Sequence, residues 1–170
     1  EANLLLIEAI PPKHKKARQL VIALNDAYGL AGLSTGQSLD LKEEKPKTLK
    51  ELEIIHANKT GALFQAAVIL PGLLADAPKR ELGWLSAYAR NLGLAFQVKD
   101  DLLDGQSSSV TGKDTHQDED KINFVNLIGV AASEKLYEDL MQAALAQLEP
   151  FGKSSFHLRA LTHVIWKRQA

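Results

Sequence analysis

The stretch Phe96-Gln97-Val98-Lys99-Asp100-Asp101-Leu102-Leu103-Asp104 sets three carboxylates inside a run otherwise patterned as a buried helix. Residues three, four and seven apart share a helix face, so Gln97, Asp100, Asp101 and Asp104 form one polar stripe, with Asp100 stacked on Asp104. Like charges four residues apart repel by roughly 0.2–0.5 kcal/mol at a surface, and by more where water is scarce. The arrangement therefore asks for a compensating cation. Mg2+ suits it, because that ion is held by one or two carboxylates and completes its shell with phosphate oxygens and water. The stripe reads as the protein's half of a Mg2+–phosphate site, with Asp100, Asp101 and Asp104 as candidate metal residues. The competing reading is a solvated acidic face near a helix end. Two features weigh against it. The segment from Leu82 to Val98 is apolar nearly all round, as in a buried helix, and the stripe continues backward through Gly93, Arg90 and Ser86 without a large hydrophobe. A small and polar stripe on a buried helix fits one that lines a polar cavity.

A second charge needs an explanation. Along a helix after Thr48, Leu49, Leu52, Leu63, Ala66, Ala67 and Leu70 fall on one apolar face, and Lys59 stands in the middle of it. A lysine on a core face needs an anion or a route to water along its alkyl stem. With Thr60 beside it, it offers a cation and a hydroxyl at one place, suited to a phosphate oxygen or to a developing charge. His56, one turn earlier, fits a hydrogen-bonded core histidine better than a metal ligand. Gln37 and Asp40 form a polar pair three residues apart amid small residues, and fit equally a cavity wall or an exposed helix end. Lys113 and Lys121 flank a run holding Asp114, Asp118, Glu119 and Asp120, which reads either as a solvated loop or as two lysines that close over a phosphate.

The elements that must position these residues are helical, since 3.6-residue periodicity dominates and strand alternation is scarce. Asn3 to Ile7 is an apolar run without a cap before it, patterned like the middle of a helix, and Pro11-Pro12 closes it. Lys13 to about Leu41 reads as one helix. Thr48 and Glu51 make a capping box that opens a helix running to about Leu70, stopped by Pro71-Gly72. The next runs from near Pro78 to just past Asp104. Gly105 to Asp120 reads as a loop, and helices follow at about Ile122–Val130, Ser133–Leu148 and Ser155–Lys167. The fold class is all-α, in one domain over residues 1–170.

Composition narrows the function. The net charge of −1 gives no basic surface for nucleic acid, and the absence of cysteine excludes disulfides, thiolate metal sites and a cysteine nucleophile. It also fits a reducing compartment such as the cytoplasm. Ala62 to Ala75, the most apolar stretch, is too short to span a bilayer.

The ordered set Gly36-Gln37-x-Leu39-Asp40-Leu41, Lys59-Thr60-Gly61-Ala62-Leu63, Gly93-Leu94-Ala95-Phe96-Gln97-x-x-Asp100-Asp101-x-x-Asp104, Gly112-Lys113 and Lys121 resembles the trans-isoprenyl diphosphate synthases of short-chain bacterial type, in their C-terminal half. The resemblance implies an isoprenoid-synthase helical bundle around a central cavity, usually a homodimer. It implies condensation of an allylic diphosphate, dimethylallyl or geranyl, with isopentenyl diphosphate. Asp100 and Asp104 match the second aspartate-rich motif, which holds Mg2+ on the allylic diphosphate, and Asp101 completes that motif through hydrogen bonds. Lys59, Lys113 and Lys121 match diphosphate-binding lysines. Thr60 and Gln97 match groups facing the allylic carbocation, and Phe96 an aromatic beside the isopentenyl unit. Catalysis would thus rest on Lys59, Thr60 and Gln97, with Gln37 and Asp40 lining the substrate site. Residues 1–170 contain no first aspartate-rich motif and no basic region for isopentenyl diphosphate, so this chain by itself is expected to be inactive, as part of a synthase domain lacking its N-terminal half. The spacing from Lys113 to Lys121 is shorter than the family's, and Phe124-Val125 stands where Tyr-Pro is common. A non-catalytic scaffold or regulatory subunit of a prenyl synthase is the alternative.

Overall fold

The computed structural model describes residues 1–11, 13–42, 44–111 and 122–168, with side chains over the same ranges except 105–111. The described residues are helical, without strands: α1 (Ala2–Ala9), α2 (Ala17–Tyr28), α3 (Leu33–Asp40), α4 (Leu49–His56), α5 (Ala62–Leu74), α6 (Lys79–Thr111), α7 (Phe124–Ile128), α8 (Val130–Gln147) and α9 (Phe156–Trp166). A π-helical turn, Ala57–Gly61, joins α4 to α5, and a 3-10 segment, Glu149–Ser155, joins α8 to α9. The all-α expectation holds.

The 33-residue α6 is the spine, in contact with α5, α7, α8 and the π-turn. Its Tyr88, Leu92, Ala95, Val98 and Leu102 pack with Leu52, Phe124, Tyr137, Met141, Ala144 and Leu148 into the main core. A smaller cluster of Ile10, Leu20 and Leu73 ties α2 to α5. The Tyr88 hydroxyl lies 3.0 Å from Thr162 Oγ1, and both residues are fully buried, so α9 is fastened to the spine by a polar contact as well as by packing.

Several boundaries differ from the sequence expectation. The stretch 13–41 is two helices rather than one. Gly29 and Gly32 make a turn in which the Ser34 hydroxyl donates to Tyr28 O and the Thr35 hydroxyl to Leu30 O, local bonds that compete with helix continuation. Proline does not stop α5. Pro71 and the Ala67 carbonyl it leaves unpaired are both on the exposed side, where water can take the acceptor, and the helix runs to Leu74. Nor does α6 end at Gly105. One glycine costs about 1 kcal/mol, too little to stop a helix already nucleated and packed, and the backbone stays helical to Thr111. The rest of the expected loop lies outside the described residues. The Thr48–Glu51 capping box is present as expected, with Glu51 N–H donating to Thr48 Oγ1 at 3.2 Å.

The π-turn corrects the single apolar face drawn from Leu49 to Leu70. An extra residue in the turn rotates everything after it by roughly 100° against an α-helical count. Leu52 and Ala66 are buried, but Leu63 is 42% exposed and Ala67 is also on the surface. The turn is locked by a close approach, because a Cβ on Gly36 of α3 would lie 2.1 Å from the Lys59 backbone nitrogen. Gly36→Ala must therefore push α3 off the π-turn. We expect a loss of about 3 kcal/mol or more in chemical denaturation, the upper end of the range for overpacking, because the obstacle is backbone.

Candidate active site

Three polar groups from three elements meet at the π-turn. Its wide turn presents Lys59 and Thr60 in succession. Lys59 Nζ is 2.6 Å from Asp40 Oδ2 on α3, and both side chains are about one-third exposed. The anion that Lys59 finds in this structure is thus Asp40. Gln37, one turn earlier on α3, is half-buried.

Thr60 points the other way, to α6. Its hydroxyl donates to Gln97 Oε1 at 3.2 Å, Gln97 Nε2 donates to Asp101 Oδ1 at 3.1 Å, and Asp101 Oδ2 accepts from the Phe124 backbone N–H at 2.9 Å. The chain of bonds fixes the orientation of the Gln97 amide, since its nitrogen must face the carboxylate. It also commits the Thr60 proton to Gln97. Asp101 is 3% exposed. One oxygen accepts from Gln97 and the other from the start of α7, so Asp101 helps hold both in place.

Asp100 and Asp104 occupy the open side of the same helix, Asp100 partly buried and Asp104 exposed. Asp100 Oδ1 lies 2.8 Å from Arg168 Nη1 just after α9, an ion pair that joins α6 to the end of the chain described. The same guanidinium carbon sits 4.8 Å over the Phe96 ring, which also packs 5.5 Å from Phe64. Burial pushes the Asp100 carboxyl above its ordinary value, Arg168 pulls it back, and Asp104 adds to the rise. Arg168 is a site residue the sequence did not flag. A single arginine 68 positions from Asp100 has no local pattern to reveal it.

Lys113 and Lys121 lie outside the described residues. Among the described residues, no group of three His, Cys, Asp or Glu side chains is poised to enclose a metal. Asp100 and Asp104 are hard oxygen donors one helical turn apart, enough for one edge of an Mg2+ shell whose remaining ligands are substrate and water. The small-and-polar stripe has two roles. Gly93 lets Gly61 of the π-turn approach, with 3.1 Å from its would-be Cβ to Gly61 Cα, whereas Ser86 donates to Gln65 at 3.0 Å. Ser86 and Gln65 stand in the wall of an open groove of about 510 Å3 that Ala23, Ala27, Ala62 and Ala66 also line.

Both the sequence and the helical fold have counterparts among known proteins. Residues 3–150 match the Polyprenyl synthetase family, and the chain belongs to it. It is 41% identical over 160 residues to the farnesyl diphosphate synthase of Haemophilus influenzae, covering 89% of this chain and 53% of that one. It is 40% identical over 147 residues to the farnesyl diphosphate synthase of Escherichia coli, covering 84% and 49%. The structure superposes with a TM-score of 0.79 and 30% identity on a geranyltransferase from Helicobacter pylori complexed with magnesium and isoprenyl diphosphate, over 95% of this chain and 56% of that one. The chain spans about half the length of these relatives. No helix among the described residues is long and apolar enough to cross a membrane.

The raised Asp100 carboxyl has a consequence for stability. Below the ordinary aspartate range the group is protonated in folded and unfolded chains alike and costs nothing. As pH rises through that range the unfolded chain ionises first, and the fold loses stability until pH passes the higher folded value. Asp100→Asn should therefore raise the urea midpoint of the metal-free protein at pH 7, and the gain should vanish in acid. A gain that persists in acid would assign the effect to packing instead.

Proposed function

We propose that this chain carries the diphosphate-ionising part of a prenyltransferase that condenses dimethylallyl or geranyl diphosphate with isopentenyl diphosphate and releases diphosphate. The observation that carries the reading is the convergence of Lys59 and Thr60 on one turn with Gln97 and Asp100 on α6. On this reading a phosphate-directed cation, two side-chain oxygen dipoles and metal-directed carboxylates act on one substrate. The names of its relatives, farnesyl diphosphate synthase and geranyltransferase, describe the same chemistry. The unit is read as a single all-α domain over residues 1–170, part of a polyprenyl synthase domain that acts as a homodimer in the cytoplasm.

The reaction divides among the residues as follows. Lys59 releases Asp40 to bind the allylic diphosphate, with Lys113 and Lys121 contributing from the segment after α6. The bond from allylic C1 to oxygen breaks and its electron pair leaves with the diphosphate. Mg2+, held by Asp100, Asp104 and substrate oxygens, would neutralise the leaving charge as a Lewis acid. Thr60 Oγ1 and Gln97 Oε1 face the allylic cation with fixed dipoles, which cost no reorganisation as the charge develops. Phe96 supports the isopentenyl unit, whose double bond attacks C1. The adjacent carbon then loses a proton to the departed diphosphate, the base within reach, and a new double bond forms. The apolar wall keeps water from the cation. Asp101 completes the aspartate motif and holds Gln97 and the start of α7.

A radiolabelled isopentenyl diphosphate assay with geranyl diphosphate and Mg2+ tests the reading. Residues 1–170 expressed alone should bind inorganic diphosphate in an Mg2+-dependent way without turnover, since they hold one of the two aspartate-rich motifs. Joined to the N-terminal half of the Haemophilus influenzae synthase, they should support prenyl transfer. Lys59→Ala in that chimera should cut kcat/KM on the order of 10²-fold, as removal of one charge-stabilising donor does elsewhere. A scaffold would behave differently: partner binding would be unaffected by Asp100→Asn and Asp104→Asn, and Mg2+-dependent diphosphate binding would be absent.

A further inference from the structure

We propose that Arg168 is a positioning residue for Asp100, holding the carboxylate so that Oδ2 is the oxygen offered to a divalent cation. The proposal rests on the metal-site reading given above and extends it to a residue outside the aspartate motif.

The two oxygens of Asp100 are not equivalent. Oδ1 is sealed from solvent and sits 2.8 Å from Arg168 Nη1, yet the side chain keeps 29% of its surface. That surface is borne by the remaining atoms, of which Oδ2 is the one able to ligate a cation. A carboxylate with two free oxygens rotates between binding modes, whereas one pinned at Oδ1 presents a single donor in one direction. Carboxylate ligands in metalloproteins are commonly held in this way by a second group. Arginine suits the task because its charge does not titrate and its planar head can lie on an aromatic face while it pairs at the edge.

Arg168 is itself well placed. Its guanidinium lies over Phe96, one turn before Asp100 on the same helix. The chain that delivers it is pinned to α8, where Tyr137 Oη donates to both Ile165 O and Trp166 O at 3.2 Å and Trp166 Nε1 donates to Glu138 Oε1 at 2.9 Å. Ile165, Trp166 and Arg168 lie beyond residue 150, where the match to the family ends, while Tyr137 and Glu138 lie within it.

The test is Mn2+ binding to the purified protein, with free Mn2+ measured by electron paramagnetic resonance, alongside thermal unfolding of each variant. Arg168→Gln should weaken Mn2+ binding on the order of tenfold, and Arg168→Lys should restore it to within about threefold, because it keeps the charge and loses the planar stack. Arg168→Met, long and apolar enough to remain on the Phe96 ring, is a second variant held to the same criterion as Arg168→Gln in case the latter does not fold. Unchanged affinity in the folded variants, with only a lower melting temperature, would overturn the proposal by reducing Arg168 to a structural contact. Tighter binding would overturn it by making Arg168 a competitor of the cation. Asp100→Asn separates the two levels of the argument. If that variant binds Mn2+ as the parent does, the metal-site reading fails and this inference with it. If it loses binding while the Arg168 variants do not, only the role of Arg168 falls.

Discussion

A carboxylate at 3% exposure cannot be left without hydrogen-bond donors, and the site is built around that requirement at Asp101. An unpaired buried charge costs several kcal/mol, so the two oxygens must find N–H groups nearby. They find one on Gln97, a turn earlier on the same helix, and one on the backbone at the start of α7. Each bond has an effect beyond its own energy. The first turns the Gln97 amide so that its carbonyl oxygen meets Thr60. The second anchors the chain that returns to α6 after residues 112–121. A single buried anion thereby sets the direction of two oxygen dipoles some distance from it. Because hydrogen bonds in series polarise one another, its charge also strengthens them.

The other charges are handled by pairing. Lys59 rests on Asp40 and Asp100 on Arg168, each at half-exposed positions where an ion pair is worth little and is readily exchanged. That weakness serves a binding site. A fully buried pair would hold its partners too firmly to yield them to a phosphate or a metal, whereas an isolated lysine or aspartate would burden the ligand-free fold. The residual burden is visible at Asp100, whose ionised form is disfavoured by burial and by Asp104 despite Arg168. On the proposed metal-site reading, a cation that binds there relieves that burden.

Much of this was legible in the sequence because the informative residues sit close together on one regular helix. The stripe from Gln97 to Asp104 follows from helical periodicity alone, and α6 is long and regular enough to obey it. The start of α4 was legible because a capping box is a local signal. What the sequence concealed was of two kinds. The pairings Lys59–Asp40 and Asp100–Arg168 join residues 19 and 68 positions apart, and no spacing rule reaches across separate helices. The second kind is phase. Counting by 3.6 through residues 57–61 assumes an α-helix, and the single inserted residue of the π-turn turns Leu63 and Ala67 out to the surface. The over-long helix drawn through Gly29–Gly32 failed for a related reason, since local hydroxyl bonds decided the break where the hydrophobic pattern was silent.

The phase slip is also what makes the site compatible with the core. In a continuous α-helix, the register that buries Leu52 and Ile55 on α4 fixes the face on which every later residue falls. Lys59 and Thr60 would then compete with apolar residues for the inward positions, or α5 would present the wrong face to α2 and α6. The π-turn removes the conflict. Before it, α4 keeps Leu52 and Ile55 in the core; after it, α5 keeps Ala66 and Leu73 there; between them two polar residues reach α3 on one side and α6 on the other. Wider turns of this kind are costly in hydrogen-bond geometry and persist where something compensates for them. Here the compensation is the close seat of Gly36 against Lys59 and Asn58 and the Asn58 side chain's bond to Ile54 O at 2.8 Å. The irregularity and the chemistry therefore have one cause: two packing registers must meet, and the residue inserted where they meet is what frees Lys59 and Thr60 to face the site.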